Sequence, residues 1–143
     1  MEVLEKQKKT LVGLNDILIC GEGFAEALTG EEELQEAGNA SLTYGPQIVV
    51  ITMGENGSIT VAPEKVFHTP AFKVDVVDTT SAGDVFHGVY IFGLLKGWDL
   101  EKIALFASAV SAIVCTFLGG RSGIPDYTQV IAFLRERGIE INE

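Results

Sequence analysis

The chain is short of positive charge, cysteine and long apolar runs, and each shortage excludes something. Ten Lys and Arg stand against twenty Asp and Glu in 143 residues, a net charge of -10. Such a field repels DNA, RNA and anionic membrane surfaces, which argues against a nucleic-acid partner. It would also repel a nucleotide. A nucleotide site here must therefore draw its positive potential from backbone N–H groups, a helix N-terminus or metal ions. The two cysteines, Cys20 and Cys115, sit in the apolar runs DILIC and AIVCTFL without CxxC spacing. That pattern reads as two buried thiols rather than a disulfide or a metal site. The opening segment MEVLEKQKKT has no apolar core of the kind a signal peptide needs. The most apolar stretch, Ile103 to Leu118, is shorter than the ~20 residues of a membrane span and carries Ser and Thr. A cytoplasmic protein with no membrane partner is the expectation.

What is present is the composition of a soluble globular chain, 47% hydrophobic and 21% charged. The length fits one domain over residues 1–143, with enough chain to bury a core. A charged helical start at residues 1–10 precedes a short strand at Asp16–Cys20 and helical stretches at Phe24–Leu28 and Glu31–Ala40. QIVVITM (47–53) is a β-branched apolar run, as in a buried parallel strand. Glu55-Asn56-Gly57 is a turn signal, and SITVA beyond it pairs back as a strand. Lys65–Val77 reads as extended chain bent at Pro70, with a strand supplying Val74, Val76 and Val77. Three helices follow: Ala82 to Lys96, stopped by Gly97; Asp99 as N-cap through Leu118; and Asp126 as N-cap to about Gly138. The second carries small residues on several faces, so neighbours can approach it closely. Trp98 is a packing residue at the junction of the first two, His87 a packed or surface histidine, and Glu31-Glu32-Glu33 a solvated helix start.

The segment with chemical content is VVDTTSAGDVFHG, strand to polar loop to helix. The first turn of a helix offers free N–H groups and about half a positive charge, a fit for phosphate. Ala82 and Gly83 leave those groups reachable, and Gly83 costs ~1 kcal/mol relative to Ala in a helix, so something must compensate. A purely structural account also exists. Ser81 as N-cap with Asp84 at the third helical position is a capping-box variant, and Asp78, Thr79 and Thr80 are ordinary turn residues.

The longer string resembles the D-T-x-G-A-G-D-x-F segment of the ribokinase-like, or pfkB-type, carbohydrate kinases. Asp78, Thr79, Ala82, Gly83, Asp84 and Phe86 match in place, and Ser81 stands where glycine is commoner. The resemblance implies that Asp84 takes the proton from the sugar hydroxyl that attacks ATP. It implies too that the backbone N–H groups of Ser81, Ala82, Gly83 and Asp84 form an anion hole. Thr52-Met53-Gly54-Glu55-Asn56-Gly57 resembles the family's T-L-G-x-x-G loop, which makes Thr52, Gly54 and Gly57 nucleotide contacts; the alternative is a plain hairpin turn. Gly119-Gly120-Arg121-Ser122-Gly123-Ile124-Pro125 resembles the G-A-x-x-(G/S)-x-P loop that closes beside adenine, which adds Gly120. Its structural alternative is a glycine C-cap followed by proline. In related enzymes a monovalent cation, usually K+, lies between this loop and the D-T-x segment, so Asp78 and the Thr80 carbonyl become its ligands.

The resemblance runs from about Asp16 to Arg137 and implies a three-layer α/β/α fold with a mostly parallel sheet. It implies a kinase that uses ATP and Mg2+ on a small-molecule sugar or related alcohol. Two departures accompany it. Where many members carry N-x-x-E to order magnesium waters, this chain has Gly21 and Phe24, with Glu22 nearby but offset. The β lid, the first strands and the G-G-x-x-x-N segment that grips the sugar have no counterpart in the sequence. The expectation is therefore a truncated, C-terminal nucleotide-binding portion, with self-association or an N-terminal half as partner. The alternative is a non-catalytic nucleotide-binding or structural fragment with a vestigial site.

Overall fold

A computed structural model describes residues 2–142. The chain divides into two compact units, one up to Thr69 and one from Pro70 onward.

The first unit holds α1 (Glu2–Val12), β1 (Ile17–Gly21), α2 (Glu22–Thr29), α3 (Leu34–Leu42), β2 (Ile48–Thr52), β3 (Ser58–Ala62) and β4 (Lys65–Thr69), with a single 3-10 turn at Gly54–Asn56. The strands lie side by side in chain order. β1 and β2 are parallel, with Ile17 opposite Ile48. The pairs β2/β3 and β3/β4 are antiparallel, with Val49 opposite Val61 and Ile59 opposite His68. Among the described residues the sheet is thus mixed, and only its β1–β2 part is parallel. The expected β-branched strand is β2, and its Val49, Val50 and Ile51 are fully buried. Burying one such side chain stabilises the fold by roughly 1.5–3 kcal/mol. These residues need both faces covered, which accounts for an apolar run instead of an alternating one. Val12, Leu18, Ala25, Leu28 and Ala37 join Val49 and Ile51 in one core cluster. Gly38 lets α3 down onto the sheet: a Cβ there would stand 2.5 Å from Val61 Cγ2. The acidic stretch at 31–33 precedes α3. Glu33 is its N-cap, accepting the Glu36 N–H at 2.8 Å.

The second unit is built on α4 (Ala82–Leu95), α5 (Leu100–Cys115) and α6 (Tyr127–Arg135). Helix α5 is buried on several sides, including Ala104, Ala107, Ala109 and Ala112. It is capped by Asp99, whose carboxylate accepts the Lys102 N–H at 2.8 Å. Helix α6 carries a full capping box between Asp126 and Gln129. Trp98 packs in the α4–α5 junction with ring centroids 5.4 Å from Phe92 and 5.1 Å from Phe106.

Two expectations fail in this unit. Val74–Val77 is not a strand. Val76 and Val77 are exposed, and the N–H groups of Val77 and Asp78 both donate to the Cys115 carbonyl, at 2.7 and 3.2 Å. The donors a strand would give to a neighbour go instead to the end of a helix. For the same reason α5 stops at Cys115, short of Leu118. Its terminal carbonyls are taken by Thr116, Phe117, Val77 and Asp78, and the chain turns away before Gly119 at φ +85°.

Candidate active site

Chain entry into α4 sets the geometry. Asp78 Oδ1 accepts hydrogen bonds from Thr80 N–H at 2.9 Å and from the Thr80 hydroxyl, while Oδ2 accepts from Gly119 N–H at 2.9 Å. These donors, the Thr80 hydroxyl foremost, hold Asp78 below the usual carboxylate range. Burial and then the charge of Asp78 push the Cys115 thiol up. Asp78 is thereby a clamp between the 78–80 turn and the 119–120 loop. A second tie comes from α5, where the Ser111 hydroxyl donates to the Ala82 carbonyl at 3.1 Å.

The helix then begins. Ser81 is the N-cap, at φ -112° and ψ 8°, and its side chain makes no capping hydrogen bond. The capping-box account of Ser81 and Asp84 is not realised. An N-cap residue normally sits in the extended region to aim its oxygen at the first turn, and ψ near zero turns it away. The Ala82 N–H is spent on the Thr79 carbonyl at 3.2 Å, and the first intrahelical bond runs from Val85 N–H to the Ser81 carbonyl. Gly83 and Asp84 are exposed, with first-turn N–H groups that have no acceptor within the helix. A Cβ at Gly83 would meet nothing within 4 Å. The turn is open, and Asp84 lines a cleft of about 890 Å³ together with Ser81, Gly88, Gly120 and Arg121. The far wall of that cleft is apolar, with Phe92, Phe106 and Tyr127. His87 is accounted for locally, its Nδ1 lying 2.7 Å from the Gly83 carbonyl.

Asp78, Thr80, Ser81, Ala82, Gly83, Asp84 and Gly120 thus gather around one turn of the second unit. Thr52, Gly54 and Gly57 lie in the first unit, Thr52 as the last residue of β2 and the two glycines in its connection to β3. Here the hairpin reading is realised as well. Gly54 and Gly57 sit at φ +56° and +86°, and Met53 N–H donates to the Gly57 carbonyl at 2.8 Å. Thr52 Oγ1 donates to the Cys20 carbonyl at 3.3 Å, linking this loop to the end of β1. Burial raises the Cys20 thiol to about 11.

Arg121 escaped selection from the sequence, although it is exposed and lines the cleft with Asp84. The signal that could have found it is that a helix C-cap explains the glycines around it but not the arginine. The metals fit unevenly. Both Asp78 oxygens already accept hydrogen bonds, so as a ligand for a monovalent cation it would have to share them. Among the described residues no three His, Cys, Asp or Glu side chains group to hold a metal. Gly21 ends β1, Phe24 lies on α2, and Glu22 is exposed in the first turn of α2. Magnesium does not need a protein cage when a substrate's phosphates bind it. No helix among the described residues is long and apolar enough to cross a membrane.

The family model for pfkB family carbohydrate kinases matches residues 2–126. The chain is 32% identical over 118 residues to an ATP-dependent 6-phosphofructokinase of Thermoanaerobacterium thermosaccharolyticum, covering 82% of this chain and 37% of that protein. It superposes on ribokinase from Thermotoga maritima with a TM-score of 0.82 at 36% identity, covering 89% of this chain and 44% of that one. A putative ribokinase II from E. coli, in complex with ATP and Mg2+, gives a TM-score of 0.86 at 25% identity, covering 94% and 44%. The fold is therefore ribokinase-like. The chain spans 37% to 42% of the length of the first curated relatives it matches.

Proposed function

The chain belongs to the pfkB family of carbohydrate kinases, and from that premise we propose that it carries the donor side of an ATP-dependent sugar or alcohol kinase, with Asp84 as the general base. The observation that carries the reading is the open first turn of α4. It combines exposed residues Gly83 and Asp84 whose N–H groups have no acceptor within the helix, no side-chain cap from Ser81, and Asp84 among the residues lining a cleft. In the proposed reaction Asp84 accepts the proton of the acceptor hydroxyl as its oxygen bonds to the γ-phosphorus. The bond from that phosphorus to the β–γ bridging oxygen breaks, and ADP leaves. A loose phosphoryl transition state asks for positioning and charge stabilisation, which amides fixed at a helix start supply.

In this reading the N–H groups of Gly83 and Asp84 form the anion hole beside Ser81, while the Ala82 N–H stays with the Thr79 carbonyl; Thr52, Gly54 and Gly57 are proposed nucleotide contacts of the first unit and Gly120 of the second. Mg2+, when bound with ATP, would neutralise charge on the β- and γ-phosphates. Asp78 serves first as the clamp that fixes the turn, with K+ beside the Thr80 carbonyl as its secondary role. The acceptor is a small-molecule sugar or alcohol, and a cytoplasmic location suits ATP chemistry. The residues that grip the acceptor belong to an N-terminal half of the fold, so residues 1–143 act as one donor module.

Titration with MgATP tests the nucleotide site directly. Phosphoryl transfer after supplying the N-terminal half of a ribokinase, with Asp84→Asn alongside, tests the base. The expected result is ATP binding by both forms and a loss of about 10²–10⁴-fold in transfer for Asp84→Asn. ATP binding with equal transfer by both forms would remove Asp84 from its role. No ATP binding at all would leave a structural fragment with a vestigial site.

A further inference from the structure

We propose that Ser81 and Gly120 form a matched pair, in which the glycine leaves room for the serine hydroxyl and that hydroxyl is a further donor to the phosphoryl group held at the start of α4. The inference rests on the kinase reading above and assigns to the Ser81 side chain a role that the backbone N–H groups alone do not fill.

Gly119 and Gly120 are adjacent but are glycine for different reasons. Gly119 sits at φ +85°, where only glycine is comfortable, and Gly120 lies outside that region. Its φ therefore does not call for glycine, and what a side chain there would meet is Ser81. A Cβ at position 120 would stand 2.2 Å from Ser81 Oγ but 3.4 Å from Ser81 Cβ. The second distance is ordinary contact and the first is a collision. In its present rotamer the hydroxyl, not the serine as a whole, is what a side chain at 120 would displace.

That hydroxyl has no structural duty at the helix start. It sits at an N-cap without capping, since the backbone there turns it off the first-turn N–H groups. Ser81 itself lines the same cleft as Asp84 and Arg121, at the start of the helix on which Gly83 and Asp84 are exposed. An O–H in this place adds a donor to an anion already met by N–H groups, and hydrogen bonds to a charged oxygen are about twice as strong as neutral ones.

The test is a double-mutant cycle on the 143-residue chain with MgATP as the probe. Affinity is read by calorimetry and by the fluorescence of Trp98, the sole tryptophan, which packs against Phe92 and Phe106 of the cleft wall. Thermal midpoints are recorded for every variant. Ser81→Ala is expected to weaken binding about tenfold with an unchanged midpoint. Gly120→Ala should weaken it by a similar factor, because Oγ must leave its rotamer, and in the Ser81→Ala background it should weaken binding no further. If Gly120→Ala acts as strongly without the hydroxyl as with it, the alanine works through the loop or through the nucleotide contact of Gly120, and the pair is refuted. Wild-type affinity in both single variants refutes the pair and leaves the kinase reading standing. A wild-type chain that does not bind MgATP overturns that reading and this inference together.

Discussion

Gly83 occupies the first turn of α4 with empty space where a Cβ would be. Packing among the described residues does not ask for glycine there, and its φ is not left-handed. Its helix penalty, up to about 1 kcal/mol against alanine, is therefore offset by something outside those contacts. If the offset is access of an anion to the amides, Gly83→Ala should raise the thermal midpoint and lower ATP affinity together. Calorimetric titration beside a melting curve reads both. A variant that melts higher and binds ATP unchanged would strip the glycine of that role. At this scale the sequence was informative about backbone and poor on side-chain direction. Asp84 could be placed at a helix start from the string alone. That the Ser81 oxygen turns off the helix, or that Asp78 spends both oxygens on Thr80 and Gly119, depends on ψ angles and a loop 41 residues downstream.

Helices α4 and α5 meet where Gly93 faces Ile103. A Cβ on Gly93 would lie 2.6 Å from Ile103 Cγ1, and Ile103 is fully buried. Two effects oppose each other in Gly93→Ala. Alanine gains about 1 kcal/mol of helix propensity, and overpacking a filled contact costs about 1–3 kcal/mol. Because the obstacle is a branched carbon close to the backbone, the clash should win, with a net loss on the order of 1 kcal/mol in urea unfolding. A gain in stability would show that the two helices part easily. Helix positions were legible because their signals are local. Asp99 and Asp126 cap α5 and α6 as read, and Gly97 at φ +70° follows α4. The segment at Val74–Val77 was not legible, for the opposite reason. Its valines have strand propensity, but the choice between a strand neighbour and the Cys115 carbonyl is made by a residue far along the chain.

On the scale of the molecule, much apolar surface is left open. In the second unit Ile91 and Leu95 of α4 are 60% and 83% exposed, and Val76, Val77 and Leu118 are exposed as well. In the first, β1 and β4 each have a neighbour on one side only among the described residues. Open strand edges and apolar patches both favour association. Light scattering should therefore report a mass that rises with concentration, despite the repulsion of a net charge of -10. A constant monomer mass up to high concentration would refute this. The family and the order of its motifs were readable from the string because each motif is a short local pattern. The mixed character of the sheet was less so, since parallel and antiparallel partners draw on the same β-branched residues.

The chain-order ladder of the first unit also bears on how its parts come together. β3 and β4 are joined by residues 63–64, β2 and β3 by residues 53–57, while β1 reaches β2 only by way of α2 and α3. Loop-closure entropy grows with the length of the connection, by only about 0.6 kcal/mol for each doubling of a flexible loop. The entropic penalty therefore climbs stepwise from the β3–β4 hairpin towards β1, and the parallel pair, which carries the end of β1 beside Thr52, is the most demanding contact to close.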